Sequence, residues 1–309
     1  MPPQSQILCE PYAGLQAQAL GLAEAAGLAP TIIPLHPVRP WSWLPAATWP
    51  RPLAAVGLQT PPPGLLFTAG GTAGAVGAAC HRRGATVVQV QNPRLPLRHF
   101  NLVVANTHDG LSGPNVITVR TALHRATPAR LAAARDEWSR HFAHLPRPLV
   151  AVLVGGSNGR FRLGAAEGAK LAAQLAGMMQ ADRVGLALTP SRRTAPEVRE
   201  HLAQTLTPLG AYVWDLTGEN PYFGLLACAD AIVVTTDSIS MVSEAAATSA
   251  PVLLADLPGR SARIGRFRQS LIQAGRVRAF AGRLQTWSAS PMDDTQAAGD
   301  EVRRRLDLG

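Results

Sequence analysis

The residues of this chain whose types and spacing could do chemistry lie mainly in three short stretches. Thr236-Asp237-Ser238-Ile239-Ser240-Met241 stands between a β-branched apolar run (Ile232, Val233, Val234) and a segment with helical spacing through Met241, Val242, Ala245 and Ala246. A strand therefore delivers a helix N-terminus, whose unpaired backbone N–H groups and partial positive charge favour a phosphate or carboxylate. Glu244, about two turns further on, could accept hydrogen bonds from a ribose diol. The plainer alternative is that Ser238 and Ser240 cap the helix and Glu244 is solvated. The second stretch, Gly155-Gly156-Ser157-Asn158-Gly159, ends an apolar run and lets backbone approach a ligand closely. It is neither a dinucleotide GxGxxG nor a Walker loop. In the third, Ser191-Arg192-Arg193 follows a strand that ends at Thr189. Together with Arg260, Arg263 and Arg266 it offers cations to a departing diphosphate.

Such groups need parallel α/β units to position them. Strands at 7–9 and 31–35 flank a helix over 15–28, which is β-α-β spacing. Strands follow at 64–68, 86–91, 102–105 and 116–119, with a glycine-rich turn over 69–77 leading into a helix. Thr127-Pro128 caps a helix that runs to Phe142. Strands at 149–154, 183–189, 211–214, 231–235 and 251–255 then alternate with helices at 164–179, 195–206, after Asn220-Pro221, at 238–248 and at 260–274, before a tail. Leu145-Pro146-Arg147-Pro148 is the natural boundary, giving domains over 1–146 and 147–309. The expected fold is α/β, two doubly wound Rossmann-type domains facing one another across a cleft.

Composition narrows the classes. A chain of 309 residues, 47% hydrophobic and 16% charged, is globular and long enough for two cores. No apolar run reaches the ~18 residues of a membrane span, and the N-terminal segment lacks the pattern of a signal peptide. The expected location is the cytoplasm, peripheral on the inner face of the cytoplasmic membrane. Cys9, Cys80 and Cys228 are scattered, which argues against a disulfide framework or a zinc site. No cluster of carboxylates suggests a divalent ion. The net charge is +9 and Lys170 is the sole lysine, so the surplus is arginine and favours an anionic partner. Nucleic acid is the weakest such partner, for no basic helix, zinc-finger spacing or aromatic RNA-binding signature is present. Residues 34–52 are proline-rich and carry Trp41, Trp43 and Trp49 beside Arg39 and Arg51. They read as an anionic membrane surface contact, or else as indoles folded back onto the core.

GGSNG, followed by a strand, a polar turn and MVSEAAATSAPVLL, is similar to the donor half of GT-B glycosyltransferases. The nearest pattern is that of the N-acetylglucosaminyltransferase of peptidoglycan lipid precursors. A longer match covers nearly the whole chain: RLPLRHFNLVVANTHDGLSGPNVITVRTALHR, SRRT, TGENPYFGLLACADAIVVTTDSISMVSEA and LPGRSARIGRF resemble the family named for a mitochondrial fission factor of the elongated-mitochondria type. The resemblance implies a nucleotide-sugar as substrate, with no metal or nicotinamide cofactor. Gly155, Gly156, Ser157 and Gly159, with Asn158 among them, become the donor loop, Ser238 to Met241 the diphosphate turn, and Glu244 the ribose ligand. An epimerase with a nicotinamide would need a Tyr-x-x-x-Lys pair, and Lys170 has Ala166 four places before it.

Two positions depart from the pattern. Ala250 replaces a glycine, and Leu15 stands where related transferases carry a histidine facing the acceptor hydroxyl. Leucine cannot take a proton, so the candidate bases are Glu10, His108 and Asp109. His108 could equally be a loop histidine bonded to backbone, and Asp109-Gly110 a turn pair. Two functions are therefore expected in competition. One is a GT-B glycosyltransferase acting on a membrane lipid or envelope glycan. The other is a non-catalytic, membrane-associated adaptor that keeps the fold.

Overall fold

A computed structural model describes residues 4–308; the first three residues of the N-terminal segment read above lie outside the described residues. The chain divides into two compact units, one holding residues up to 125 and from 293 onward, the other 126–292.

The first unit contains β1 (Ser5–Cys9), α1 (Ala13–Ala25), β2 (Thr31–Pro34), α2 (Pro52–Ala55), β3 (Leu65–Ala69), α3 (Gly70–His81), β4 (Thr86–Val90), β5 (Leu102–Asn106) and β6 (Val116–Val119). Its six strands are parallel in the order β2-β1-β3-β4-β5-β6. The strand order reverses between β1 and β3, where open α/β sheets leave a crevice at their carboxyl edge. The strands are apolar because helices cover both faces; every residue of β3 and β5 is buried. The glycine-rich stretch expected to be a turn is itself the body of α3. A Cβ at Gly77 would lie 2.9 Å from Thr68 Cγ2. Glycine thus lets the helix lie close to the sheet, which outweighs its poor helix propensity.

The second unit contains α4 (Pro128–Trp138), β7 (Leu149–Val154), α5 (Ala165–Asp182), β8 (Gly185–Pro190), α6 (Pro196–Leu206), β9 (Tyr212–Val213), α7 (Tyr222–Cys228), β10 (Ala231–Thr235), α8 (Ile239–Ala246), β11 (Val252–Ala255), α9 (Ala262–Gln273) and β12 (Val277–Ala279). The strands form a parallel sheet ordered β12-β11-β10-β7-β8-β9, with its reversal between β10 and β7. All six residues of β7 are buried.

The division falls earlier than the boundary expected at 146/147. Thr127 caps α4 as read, its side chain accepting from the Arg130 N–H. However, Trp138 of α4 and Phe142 beyond it are buried with Leu149, Leu153 and Leu225 in the second core. Pro146 and Pro148 mark the entry into β7, not the change of core. The stretch read as a tail forms α10 (Thr295–Arg305), which buries Ala298 and Val302 with Leu22, Ala23 and Ala26 in the first core. Asp294 holds Arg120 there at 2.9 Å, and Asp293 lies 3.3 Å from the buried His124.

Candidate functional site

Of the loops that follow strands at the carboxyl edge of the second sheet, those after β7 and β10 flank its reversal point. The glycine loop leaves β7 with Gly155 and Gly156 buried and Ser157, Asn158 and Gly159 exposed. Its glycines serve an internal carboxylate. The Asp237 side chain is fully buried and accepts from the Gly156 N–H at 3.1 Å, the Thr235 hydroxyl at 2.7 Å and Arg193 Nη2 at 2.7 Å. A Cβ on Gly155 would overlap both Asp237 carboxylate oxygens, and one on Gly156 would overlap the Arg193 carbonyl. Thr235 Oγ1 accepts from the Gly155 N–H at 2.8 Å, and the Thr194 hydroxyl donates to the Gly155 carbonyl. The amides of the two glycines expected to let a ligand approach are therefore held by the protein itself, and so is part of Arg193, which also donates to the Gly156 carbonyl at 2.9 Å.

What remains open is the rim. Asn158 binds the Asp237 carbonyl through Nδ2 at 3.3 Å and caps the Arg160 and Phe161 N–H groups through Oδ1. Phe161 pairs with Gly259 in an antiparallel bridge, and the Arg260 N–H donates to the Arg160 carbonyl at 3.2 Å. The loops after β7 and β11 thereby set Arg160 and Arg260 side by side. Both are exposed, as is Arg192. Ser191 closes the turn after β8, its amide donating to Thr194 Oγ1 at 2.9 Å.

After β10, Thr236 is buried and its hydroxyl accepts from the Leu257 N–H at 3.2 Å. Ser238 caps α8 loosely, accepting from the Met241 N–H at 3.4 Å, and Ser238, Ile239, Ser240 and Met241 are half-buried around the first turn. Glu244 is not the solvated residue of the plainer expectation: it is 7% exposed, and its Oε2 accepts from the Tyr222 hydroxyl. Burial pushes its carboxyl up to about 7, against the opposing pull of the Tyr222 hydrogen bond and the Arg130 charge. The same burial, and then the neighbouring carboxylate, hold the Tyr222 phenol well above its ordinary range. At the other end of α8 the buried Arg276 donates to the carbonyls of Ala245, Ala246, Thr248 and Ala250. Its charge thus lies where the helix dipole favours a cation, and desolvation brings its guanidinium down to about 10. Tyr222, Thr235 and Thr194 carry no local signal in the sequence; only the fold brings them to this edge, while Arg276, just ahead of β12, lies at the opposite one.

In the first unit the reversal point holds Glu10, half-buried after β1, and Gly70, at φ +85° after β3. A Cβ on Gly70 would lie 3.0 Å from Leu15 Cδ1, so leucine packs there against backbone. His108 and Asp109 follow β5, two strands away from β3 in the sheet. With strand spacing of about 4.8 Å, Glu10 and His108 are separated by roughly 14 Å of sheet. The three candidate bases do not converge. The His108 and Asp109 side chains are 5% and 7% exposed, with Nε2 and Oδ1 4.0 Å apart, beyond hydrogen-bond length.

The tryptophans part company. Trp49 is 6% exposed, and its indole N–H is shared between the Trp41 carbonyl at 3.1 Å and the Leu44 carbonyl at 3.2 Å. It is a structural pin of the loop and cannot serve as a surface contact. Trp41 is half-buried, while Trp43 is 71% exposed, with the Arg39 guanidinium 5.3 Å from its ring centre. Among the described residues no group of three or more His, Cys, Asp or Glu side chains could hold a metal ion, and no helix is long and apolar enough to cross a membrane.

Known proteins match both the chain and its fold. The UDP-GlcNAc 2-epimerase of Methanocaldococcus jannaschii, solved with UDP-GlcNAc and UDP, superimposes with a TM-score of 0.59 at 13% identity, covering 99% of each chain. The glycosyltransferase UGT71G1 of Medicago truncatula, solved with UDP-glucose, gives 0.55 at 12% identity over 99% of this chain and 90% of that one. MurG of Acinetobacter baumannii gives 0.51 at 14% identity, covering 99% and 92%. Identities this low establish the GT-B-type fold and nothing finer. In sequence, the mitochondrial fission protein ELM1 of Arabidopsis thaliana is 32% identical over 248 residues, 71% of this chain and 58% of that protein, so the chain spans little more than half the length of this relative. An uncharacterized protein of Rickettsia prowazekii is 24% identical over 289 residues, 80% of this chain and 81% of that one. The family model for mitochondrial fission ELM1 matches residues 13–306, and the chain belongs to that family.

Proposed function

We propose that this protein is a GT-B-type glycosyltransferase that binds a nucleotide-sugar donor at the carboxyl edge of its second sheet and acts on a membrane lipid or envelope glycan. The observation that carries the reading is the convergence on that edge of the α8 N-terminus, the exposed Arg160, Arg192 and Arg260, and the carboxylate of Glu244. The helix end and the arginines would stabilise the diphosphate as charge develops on it. Glu244 would take the ribose diol. The Gly155 and Gly156 amides are engaged by Thr235 and Asp237, so the diphosphate falls to Ser238–Ser240 and the arginine rim. The relatives in fold solved with UDP-glucose and UDP-GlcNAc make UDP-sugars the first to try.

A second reading is a non-catalytic member that retains the fold and works as a membrane-associated adaptor. It is favoured by Leu15, which fills the first sheet's reversal point with an apolar side chain. Both readings place the protein in the cytoplasm, peripheral on the membrane, with Trp43 as the contact.

Nucleotide-sugars of UDP, GDP, ADP, CMP and TDP, each tested for a shift in unfolding temperature and for turnover with lipid extract, separate the two. Binding with turnover is the expected result. Binding without turnover moves the conclusion to the adaptor, and neither effect with any sugar sinks the donor site itself.

A further inference from the structure

We propose that the Tyr222 hydroxyl is an internal stand-in for a ligand hydroxyl, holding Glu244 in the empty protein and leaving it when a vicinal diol binds. This rests on the reading of Glu244 as the donor's ribose ligand. The carboxylate is buried, and Tyr222 reaches it from the first residue of α7. A buried carboxylate without a donor is costly, so the empty protein needs a substitute for the ligand, and a phenol O–H is chemically the same kind of donor as a sugar O–H. The substitution is incomplete in a useful way. Tyr222 satisfies Oε2 alone, whereas a vicinal diol offers two O–H groups to two carboxylate oxygens. The exchange therefore replaces one hydrogen bond by two and favours diols over single hydroxyls.

The segment ahead of Tyr222 suits a residue that must move. Residues 215 and 217–220 are exposed, and the chain turns there through left-handed Leu216 (φ 72°) and Gly218 (φ 65°). Three of its hydrogen bonds are short-range, Trp214 Nε1 to the Thr217 carbonyl at 2.7 Å, the Thr217 N–H to Asp215 Oδ1 at 2.9 Å, and the Tyr222 N–H to Asn220 Oδ1 at 3.0 Å, while the Glu219 side chain bonds to Glu137 of α4. On the far side, Tyr222 meets Phe223 edge-on at 5.5 Å, and Phe223 carries the Arg130 guanidinium 4.2 Å from its ring centre. The Tyr222 hydroxyl is thus tied by one hydrogen bond, while its ring packs beside Phe223 against the second core.

The test compares wild type with Tyr222→Phe at pH 8 by titration calorimetry, using UDP, GDP and ADP, each against its 2′,3′-dideoxy counterpart. Removing the competing hydroxyl should tighten binding of the preferred ribonucleotide about tenfold, the equivalent of one hydrogen bond to a charged group. The dideoxy form should change little, so the ribo-to-dideoxy ratio rises. Equal ribonucleotide affinity in both proteins, with an unchanged ratio, overturns the stand-in and leaves the donor site intact. No binding of any diphosphate to either protein removes both. Should the variant fail to fold, hydrogen exchange of the wild type with and without ribonucleotide carries the test. Faster exchange over residues 215–224 with ligand supports the displacement, and slower or unchanged exchange overturns it.

Discussion

Glu244 shows what burial does to a group whose position the sequence could place but whose surroundings it could not. The strand-to-helix junction located the carboxylate on α8 just after β10; nothing near it predicted Tyr222, because a hydroxyl that arrives from a different helix leaves no local pattern. The consequence is measurable as linkage. The carboxyl is raised from 4.5 to about 7, so between those values the folded chain keeps a proton that the unfolded chain has released. Its stability contribution is therefore present below about pH 4.5 and is lost as pH rises through about 7, at a cost of roughly 3 kcal/mol. Glu244→Gln keeps an acceptor for Tyr222 and removes the titration. Urea unfolding at pH 4.5 and pH 8 should show the variant gaining on wild type by about that amount at the higher pH; a constant difference between the two would mean that Glu244 does not carry a raised pKa. Asp237 teaches the converse. It was placed in the right turn, yet the glycines beside it answer to its own side chain, a use of glycine that a motif reading assigns to a ligand.

At the scale of elements, local pattern was sufficient where an element owes its existence to its own residues. The strands read over 149–154 and 231–235 are β7 and β10 to the residue, because continuous β-branched and aliphatic runs bounded by polar turns have few alternatives. α10 was not legible. Its sequence, TQAAGDEVRRR, has a thin apolar face, and the partner that buries it, α1, lies at the other end of the chain. Gly299 permits this contact, since a Cβ there would lie 2.5 Å from the backbone carbon of Ala25. Gly299→Val improves helix propensity by less than about 1 kcal/mol, against an overpacking cost of about 1–3 kcal/mol; the steric effect should win. Hydrogen exchange should quicken over residues 13–25 and 295–305 while 149–154 keeps its protection. Undiminished protection of both helices would show that they do not pack this closely.

For the whole molecule, fold class was the most legible property, since two successive β/α series leave little choice beyond doubly wound sheets. The division between units was not, because it depends on which core receives Trp138 and Phe142, a matter of distant contacts. Charge is likewise a property of the whole chain. At +9, with arginines throughout, an anionic bilayer would attract the protein, and Trp43 offers an indole at the surface. Replacing Trp41 and Trp43 by serine should lower cosedimentation with anionic vesicles while leaving nucleotide affinity unchanged, and added salt should weaken whatever binding remains. Equal vesicle binding by both proteins would assign the loop a purely internal role, as Trp49 already has.

The proposed donor site stands or falls on Glu244. The most direct measurement is titration calorimetry of wild type and Glu244→Ala at pH 8 with the nucleoside diphosphate that most raises the unfolding temperature, the fold of each being checked by circular dichroism. The substitution should weaken binding at least about tenfold, the loss of a charge-assisted hydrogen bond to the ribose; unchanged affinity in a folded variant would rule out Glu244 as the ribose ligand.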